Sequence, residues 1–68
     1  MRIAEAAEIV LKDAAGPMQA GEIAAAITER KLFQFNTKDT ASVVSKALRQ
    51  SDKFEKTAAG TFQLQNRP

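Results

Sequence analysis

The sequence contains no cysteine and no histidine. Without cysteine, neither disulfide bonds nor thiolate metal sites can stabilise the fold. Without histidine, the commonest general base is missing, and carboxylates are the only conventional metal ligands that remain. Serine also has no histidine to activate it as a nucleophile. We therefore predict that the protein is not an enzyme and that it binds neither a metal ion nor another cofactor.

Long apolar runs are missing as well. No stretch approaches the roughly 20 apolar residues that a membrane-spanning helix needs. The first residues also lack the apolar core of a signal peptide. These features predict a cytoplasmic protein with no membrane partner.

What the sequence does contain is enough for one small domain. Its 68 residues are 44% hydrophobic and 26% charged, a composition typical of a globular chain rather than a disordered one. We expect residues 1–64 to form the domain and the polar residues 65–68 to form a tail or the start of a linker. The net charge of +2 is only slightly basic, so the positions of the charges matter more than their sum.

Apolar residues recur at helical spacing in three segments, which predicts helices near residues 2–14, 20–31 and 39–51. Their apolar stripes are Ile3, Ala7, Val10, Leu11 and Ala14 in the first, Ile23 and Ile27 in the second, and Ala41, Val44 and Leu48 in the third. Gly16-Pro17 ends the first helix, because glycine suits a left-handed cap and proline cannot continue the hydrogen-bond ladder.

A β-hairpin is predicted after the third helix. The segments FEKT (54–57) and TFQL (61–64) are separated by Ala-Ala-Gly, in which Gly60 can adopt a positive φ. Three helices followed by a hairpin predict an α+β fold, mainly α, with the element order of a winged helix-turn-helix. We expect Leu48 to lie in the centre of the core, against Val10, Leu11, Ile23, Ile27 and Phe62.

The chain resembles the HARE-HTH family of winged-helix domains in the stretches AAEIVLKDAAGPMQAGEIAAAITERKLF, VVSKAL and KFEKTAAGTFQL. The resemblance extends from Ala4 to Leu64. Its positions are Leu11 in the leading helix, Gly16-Pro17 in the turn, Glu22-Ile23 at the start of the second helix, Val44 and Leu48 in the third, and Phe54, Gly60, Phe62 and Leu64 in the hairpin. The chain departs from the family at Thr40, where the family often has proline. It also departs at its plain wing tip, Ala58-Ala59, which has no base-reading side chain.

The resemblance implies two alternative functions. Such domains occur attached to restriction enzymes, other DNA-processing enzymes and chromatin regulators, which implies a DNA-binding module in transcription regulation or restriction-modification. Its partners are then duplex DNA and a fused or associated DNA-processing or transcription protein. Such domains also occur in the delta subunit of bacterial RNA polymerase, which implies a protein-interaction adaptor instead.

The third helix has a polar face opposite its apolar stripe. Ser42, Lys46 and Arg49 fall nearly opposite that stripe when residues are placed at about 100° each. Lys53 falls in the same cluster, and Lys38 lies near the same line. In a winged helix this face enters the major groove, where arginine and lysine meet guanine or phosphate and serine can meet either. The candidate DNA-binding residues are Lys38, Ser42, Ser45, Lys46, Arg49, the wing lysines Lys53 and Lys56, and, as secondary phosphate contacts, Thr57 and Thr61.

Charge is distributed unevenly along the chain. Residues 31–56 hold six basic and three acidic residues, whereas residues 1–30 hold three basic and five acidic ones. Positive charge therefore gathers in the half of the chain that includes the third helix and the hairpin. This distribution favours a surface that faces a phosphate backbone.

Two other interpretations stay open. The polar face of the third helix is also what any solvated helix would show, and Asp39 near that face reduces its positive charge. In the adaptor alternative, an exposed apolar patch near Leu32 to Phe35 binds a partner protein. The phenylalanines are more typical of a core than of base-stacking platforms, although Phe33 or Phe35 can be partly exposed.

Overall fold

The computed structural model describes residues 2–14 and 16–65, so residues 66–68 of the expected tail lie outside the described residues. The elements are α1 (Ile3–Asp13), β1 (Met18–Gln19), α2 (Ala20–Glu29), α3 (Thr40–Arg49), β2 (Phe54–Ala58) and β3 (Thr61–Leu64). Three helices followed by a small antiparallel sheet confirm the predicted α+β, mainly α, winged helix-turn-helix.

The helices form where the apolar stripes predict them, but they are shorter. The clearest case is α2, which ends before Arg30 and Lys31, although the sequence predicted a helix to residue 31. The backbone N–H of Leu32 donates to the carbonyl of Ile27 at 3.0 Å, and that of Lys31 donates to the carbonyl of Thr28 at 3.1 Å. These two bonds form a Schellman motif, which ends the helix with Lys31 in the left-handed region at φ 57°.

The sheet has one strand more than predicted. Its order is β1-β3-β2, and β1 pairs antiparallel with β3 so that Met18 lies opposite Phe62. The first N–H of α2, from Ala20, donates to the carbonyl of Gly60 at 2.8 Å. The start of α2 is therefore attached to the turn that joins β2 to β3, the tip of the wing.

The core lies between the three helices and one face of the sheet. Its buried members are Ala6, Ala7, Val10, Leu11, Ala20, Ile23, Ala24, Ile27, Val44, Leu48, Phe54 and Phe62. Leu48 is 1% exposed and shares this cluster with all five of its predicted neighbours, which confirms the predicted core. No buried side chain among residues 2–14 and 16–65 is polar, so the polar chemistry of this part of the chain is at its surface.

Candidate nucleic-acid interface

The outward face of α3 presents the polar side chains that the sequence predicted. Val44 and Leu48 are fully buried, which fixes the rotation of the helix on the core. Lys46 and Arg49 are consequently exposed, as is Ser42 near the start of the helix. Ser45 is half-buried and lies at the margin of this face.

At the start of α3, the acidic side chain is occupied by the helix itself. The Asp39 carboxylate accepts a hydrogen bond from the backbone N–H of Ser42 at 3.4 Å, so it caps the helix. Lys46 is seven residues farther on, about 10 Å along the helix axis. Asp39 therefore reduces the positive charge at the helix start, near the exposed Lys38, more than it does beside Lys46 or Arg49.

Two predicted DNA contacts of the wing, Lys56 and Thr57, lie on the unpaired edge of the sheet. β2 is an edge strand whose residues 55–58 are all exposed. Lys56 lies opposite Phe62 and Ala58 lies opposite Thr61, so Thr57 is an extra residue that makes a β-bulge. The tip turns at Gly60, which has φ 71°. Thr61 is half-buried, whereas Lys56 and Thr57 are exposed.

Lys53 does not lie where the helical periodicity placed it. Because α3 ends at Arg49, Lys53 is outside the helix and precedes β2. Its ammonium is 3.6 Å from the Glu8 carboxylate of α1. Ala58 is five residues away, about 17 Å along an extended strand, so Lys53 belongs to the base of the wing.

The cations among residues 2–14 and 16–65 fall into two groups. Within the described ranges, the ion pairs are Lys12–Glu8 at 3.9 Å, Arg30–Asp13 at 2.6 Å and Lys53–Glu8 at 3.6 Å, and every carboxylate in them belongs to α1. A second group makes no ion pair with any described residue: Arg2, Lys31, Lys38, Lys46, Arg49 and Lys56. Apart from Arg2, which precedes α1, this second group lies on α3, on the wing and on the connection between α2 and α3.

That connection also borders an open groove of about 470 Å³. The groove is lined by Thr28, Lys31, Phe33, Gln34, Phe35, Thr37 and Thr40. The rings of Phe33 and Phe35 meet edge to face with centroids 5.2 Å apart, and both rings are half-buried against the core. Lys31 was not predicted as a site residue, because the sequence placed it in the last turn of the second helix. In the structure it follows the end of α2 and is exposed.

No group of three or more acidic side chains that could hold a metal ion occurs in the described part of the chain. Among residues 2–14 and 16–65, none of the helices has both the length and the apolar character needed to cross a membrane.

Comparison with known families identifies the fold type. Residues 1–66 match the HARE-HTH model, whose description covers helix-turn-helix domains that include those of ASXL proteins and restriction endonucleases. No curated protein and no solved structure matches the chain. The family is of the winged helix-turn-helix, DNA-binding type, in agreement with three helices, a wing and an exposed basic face on α3. The chain therefore belongs to the HARE-HTH family.

Proposed function

We propose that the protein binds duplex DNA by placing α3 in the major groove and the wing lysines Lys53 and Lys56 on the phosphate backbone. The observation that carries the proposal is the division of the cations. The basic side chains of α3 and of the distal wing are exposed and have no ion-pair partner among the described residues. Phosphate groups would neutralise them without first displacing a carboxylate.

On α3, Lys46 and Arg49 are the main contacts of the proposal. Both side chains are long enough to reach either guanine or a phosphate from the face of α3 opposite its apolar stripe. Ser42 and Ser45 lie closer to the start of the helix, which is the end that meets base edges in helix-turn-helix proteins. Lys38 precedes the helix and is assigned to a phosphate.

On the wing, the contacts of the proposal are to the backbone alone. The tip residues Ala58 and Ala59 have no hydrogen-bonding side chains. Lys56 carries the charge, and Thr57 and Thr61 have hydroxyl groups that can donate to phosphate oxygens. A wing of this composition anchors the domain on many sequences equally, so we expect base discrimination to come from α3.

The test is a titration of fluorescently labelled duplex over a series of salt concentrations. If about four phosphates are neutralised, the slope of log affinity against log salt is about −3.6. The dissociation constant for an arbitrary sequence at physiological salt is expected at about 10⁻⁴ to 10⁻⁶ M. Folded protein that binds no duplex even at low salt would refute the proposal.

A second candidate function is supported by the groove beside α3. Phe33 and Phe35 are half-buried rather than enclosed, and together with Lys31 they border a space large enough for an apolar side chain. In this alternative, the domain is an adaptor that binds a fused or associated DNA-processing or transcription protein. It predicts that Phe35→Ala removes partner binding, whereas Lys46→Ala and Arg49→Ala have no effect.

A further inference from the structure

Glu8 joins α1 to the base of the wing. One carboxylate oxygen lies 3.6 Å from the Lys53 ammonium, and the other lies 3.9 Å from that of Lys12, one turn along the helix. The Glu8 side chain is 27% exposed, whereas Lys12 and Lys53 are 67% and 64% exposed. The carboxylate is therefore the enclosed member of the group, and the two ammonium groups reach it from solvent.

The packing of α1 fixes the backbone position from which the Glu8 carboxylate reaches the base of the wing. Ala7 and Leu11, which flank Glu8 at one and three residues along the helix, are buried in the core. The backbone of Glu8 therefore stays beside the base of the wing unless α1 moves. Lys53, by contrast, is an exposed side chain with four rotatable carbons, so it can exchange one anionic partner for another.

Lys53 is thus the exception among the proposed DNA contacts. Lys38, Lys46, Arg49 and Lys56 have no carboxylate partner in the described residues, but Lys53 has one already. A phosphate that approaches Lys53 must either displace Glu8 or accept its negative charge nearby. Both cost free energy, because like charges repel and the existing pair must be broken.

We propose that Glu8 restrains DNA binding by holding Lys53 against α1. This inference rests on the proposed DNA-binding function and assigns a residue that lowers affinity at the same surface. The wing then contributes fewer effective cations than its sequence contains. The restraint acts equally on all sequences, because Lys53 is assigned to a phosphate and not to a base.

The experiment measures duplex binding by Glu8→Gln and, as a matched control, by Glu29→Gln. Both changes remove one negative charge and keep the shape of the side chain. Glu29 is exposed at the end of α2 and is in no ion pair with a described residue. We expect Glu8→Gln to bind about 1.5- to 5-fold more tightly than the parent at low salt, the range expected for one exposed pair. Its salt slope should be steeper by about 0.9, and Glu29→Gln should match the parent in slope.

Second substitutions identify the released cation. Lys53→Ala should abolish the gain of Glu8→Gln, whereas Lys12→Ala should leave most of it. In the parent, Lys53→Ala should flatten the salt slope less than Lys56→Ala does. Equal slopes for Glu8→Gln and Glu29→Gln, or a gain that depends on Lys12, would overturn the inference and leave DNA binding intact. A folded parent that binds no duplex would instead refute the proposed function and, with it, the role of Glu8.

Discussion

Lys46 and Arg49 are the residues on which the proposed function depends most directly. Their replacement by alanine should flatten the salt slope of duplex binding by roughly 1.8, because each removes about 0.9 of a neutralised phosphate. Both side chains are exposed, so the unfolding temperature should change little. The measurement is a salt-series titration beside a thermal melt.

The matched control is the pair Lys12→Ala and Arg30→Ala. This control also removes two positive charges, but the side chains of Lys12 and Arg30 form ion pairs with α1 carboxylates. We expect this control to keep a slope close to that of the parent. If both double variants lose affinity equally, net charge alone drives binding and α3 has no special role.

Lys31 has a strained backbone conformation, which a glycine at this position would relieve. It adopts φ 57°, a region that costs a side-chain-bearing residue about 1–2 kcal/mol. Lys31→Gly removes this cost but adds freedom to the unfolded chain, so the expected net gain is about 0.5–1 kcal/mol in the free energy of unfolding. Urea denaturation measures it. Lys31→Ala is the control, since it removes the charge and keeps the strain. A glycine variant no more stable than the alanine variant would contradict the argument.

At the scale of elements, α3 packs on the core through a narrow apolar seam whose buried side chains are Val44 and Leu48. Leu48 is 1% exposed, so Leu48→Ala should lower the free energy of unfolding by about 2–5 kcal/mol. That is a large fraction of the total expected for a chain of this size. Leu48→Met conserves volume and should cost less than about 1.5 kcal/mol. Urea denaturation of both variants checks this, and an alanine variant as stable as the parent would mean that the seam does not carry the packing.

The sequence predicted those elements whose apolar residues repeat at a regular spacing within the element itself. Val10, Leu11, Ile23 and Ile27 repeat at helical spacing, and this repeat depends on no distant residue. β1 was not predicted, because a strand of two residues, Met18–Gln19, is too short to show an alternation of apolar and polar side chains. The strand exists only through its pairing with β3. Periodicity gives the face of an element, but pairing between elements depends on the tertiary fold.

In the candidate site, too, some features could be predicted from the sequence and others depend on the tertiary fold. The exposure of Lys46 and Arg49 follows from their positions opposite the seam, and this could be predicted. The Glu8–Lys53 pair could not, because it joins two residues far apart in sequence that meet only when α1 packs beside the wing. The periodicity also grouped Lys53 with the face of the third helix, but α3 ends at Arg49, and Lys53 lies at the base of the wing, the element to which the prediction of wing lysines assigned it.

At the scale of the whole molecule, salt should affect stability and binding very differently. The ion pairs formed by the described residues are all partly exposed, and each contributes only about 0–1 kcal/mol. The core that holds the fold is apolar. Raising salt from about 50 to 200 mM should therefore shift the melting temperature little, while a slope near −3.6 lowers duplex affinity about 150-fold. Melting curves and titrations in the same buffers test this. Parallel losses of both would indicate that salt acts on folding.

The free edge of β2 also affects how separate molecules meet. An unpaired strand edge is a template on which another chain can add a strand and begin an aggregate. Here the edge carries the charged Glu55 and Lys56, followed by the bulge at Thr57, which interrupts the regular row of hydrogen-bonding groups. A second copy would have to pair along a strand that carries charged side chains and match an irregular register. The wing can thus stay accessible in a crowded solution without recruiting further copies edge to edge.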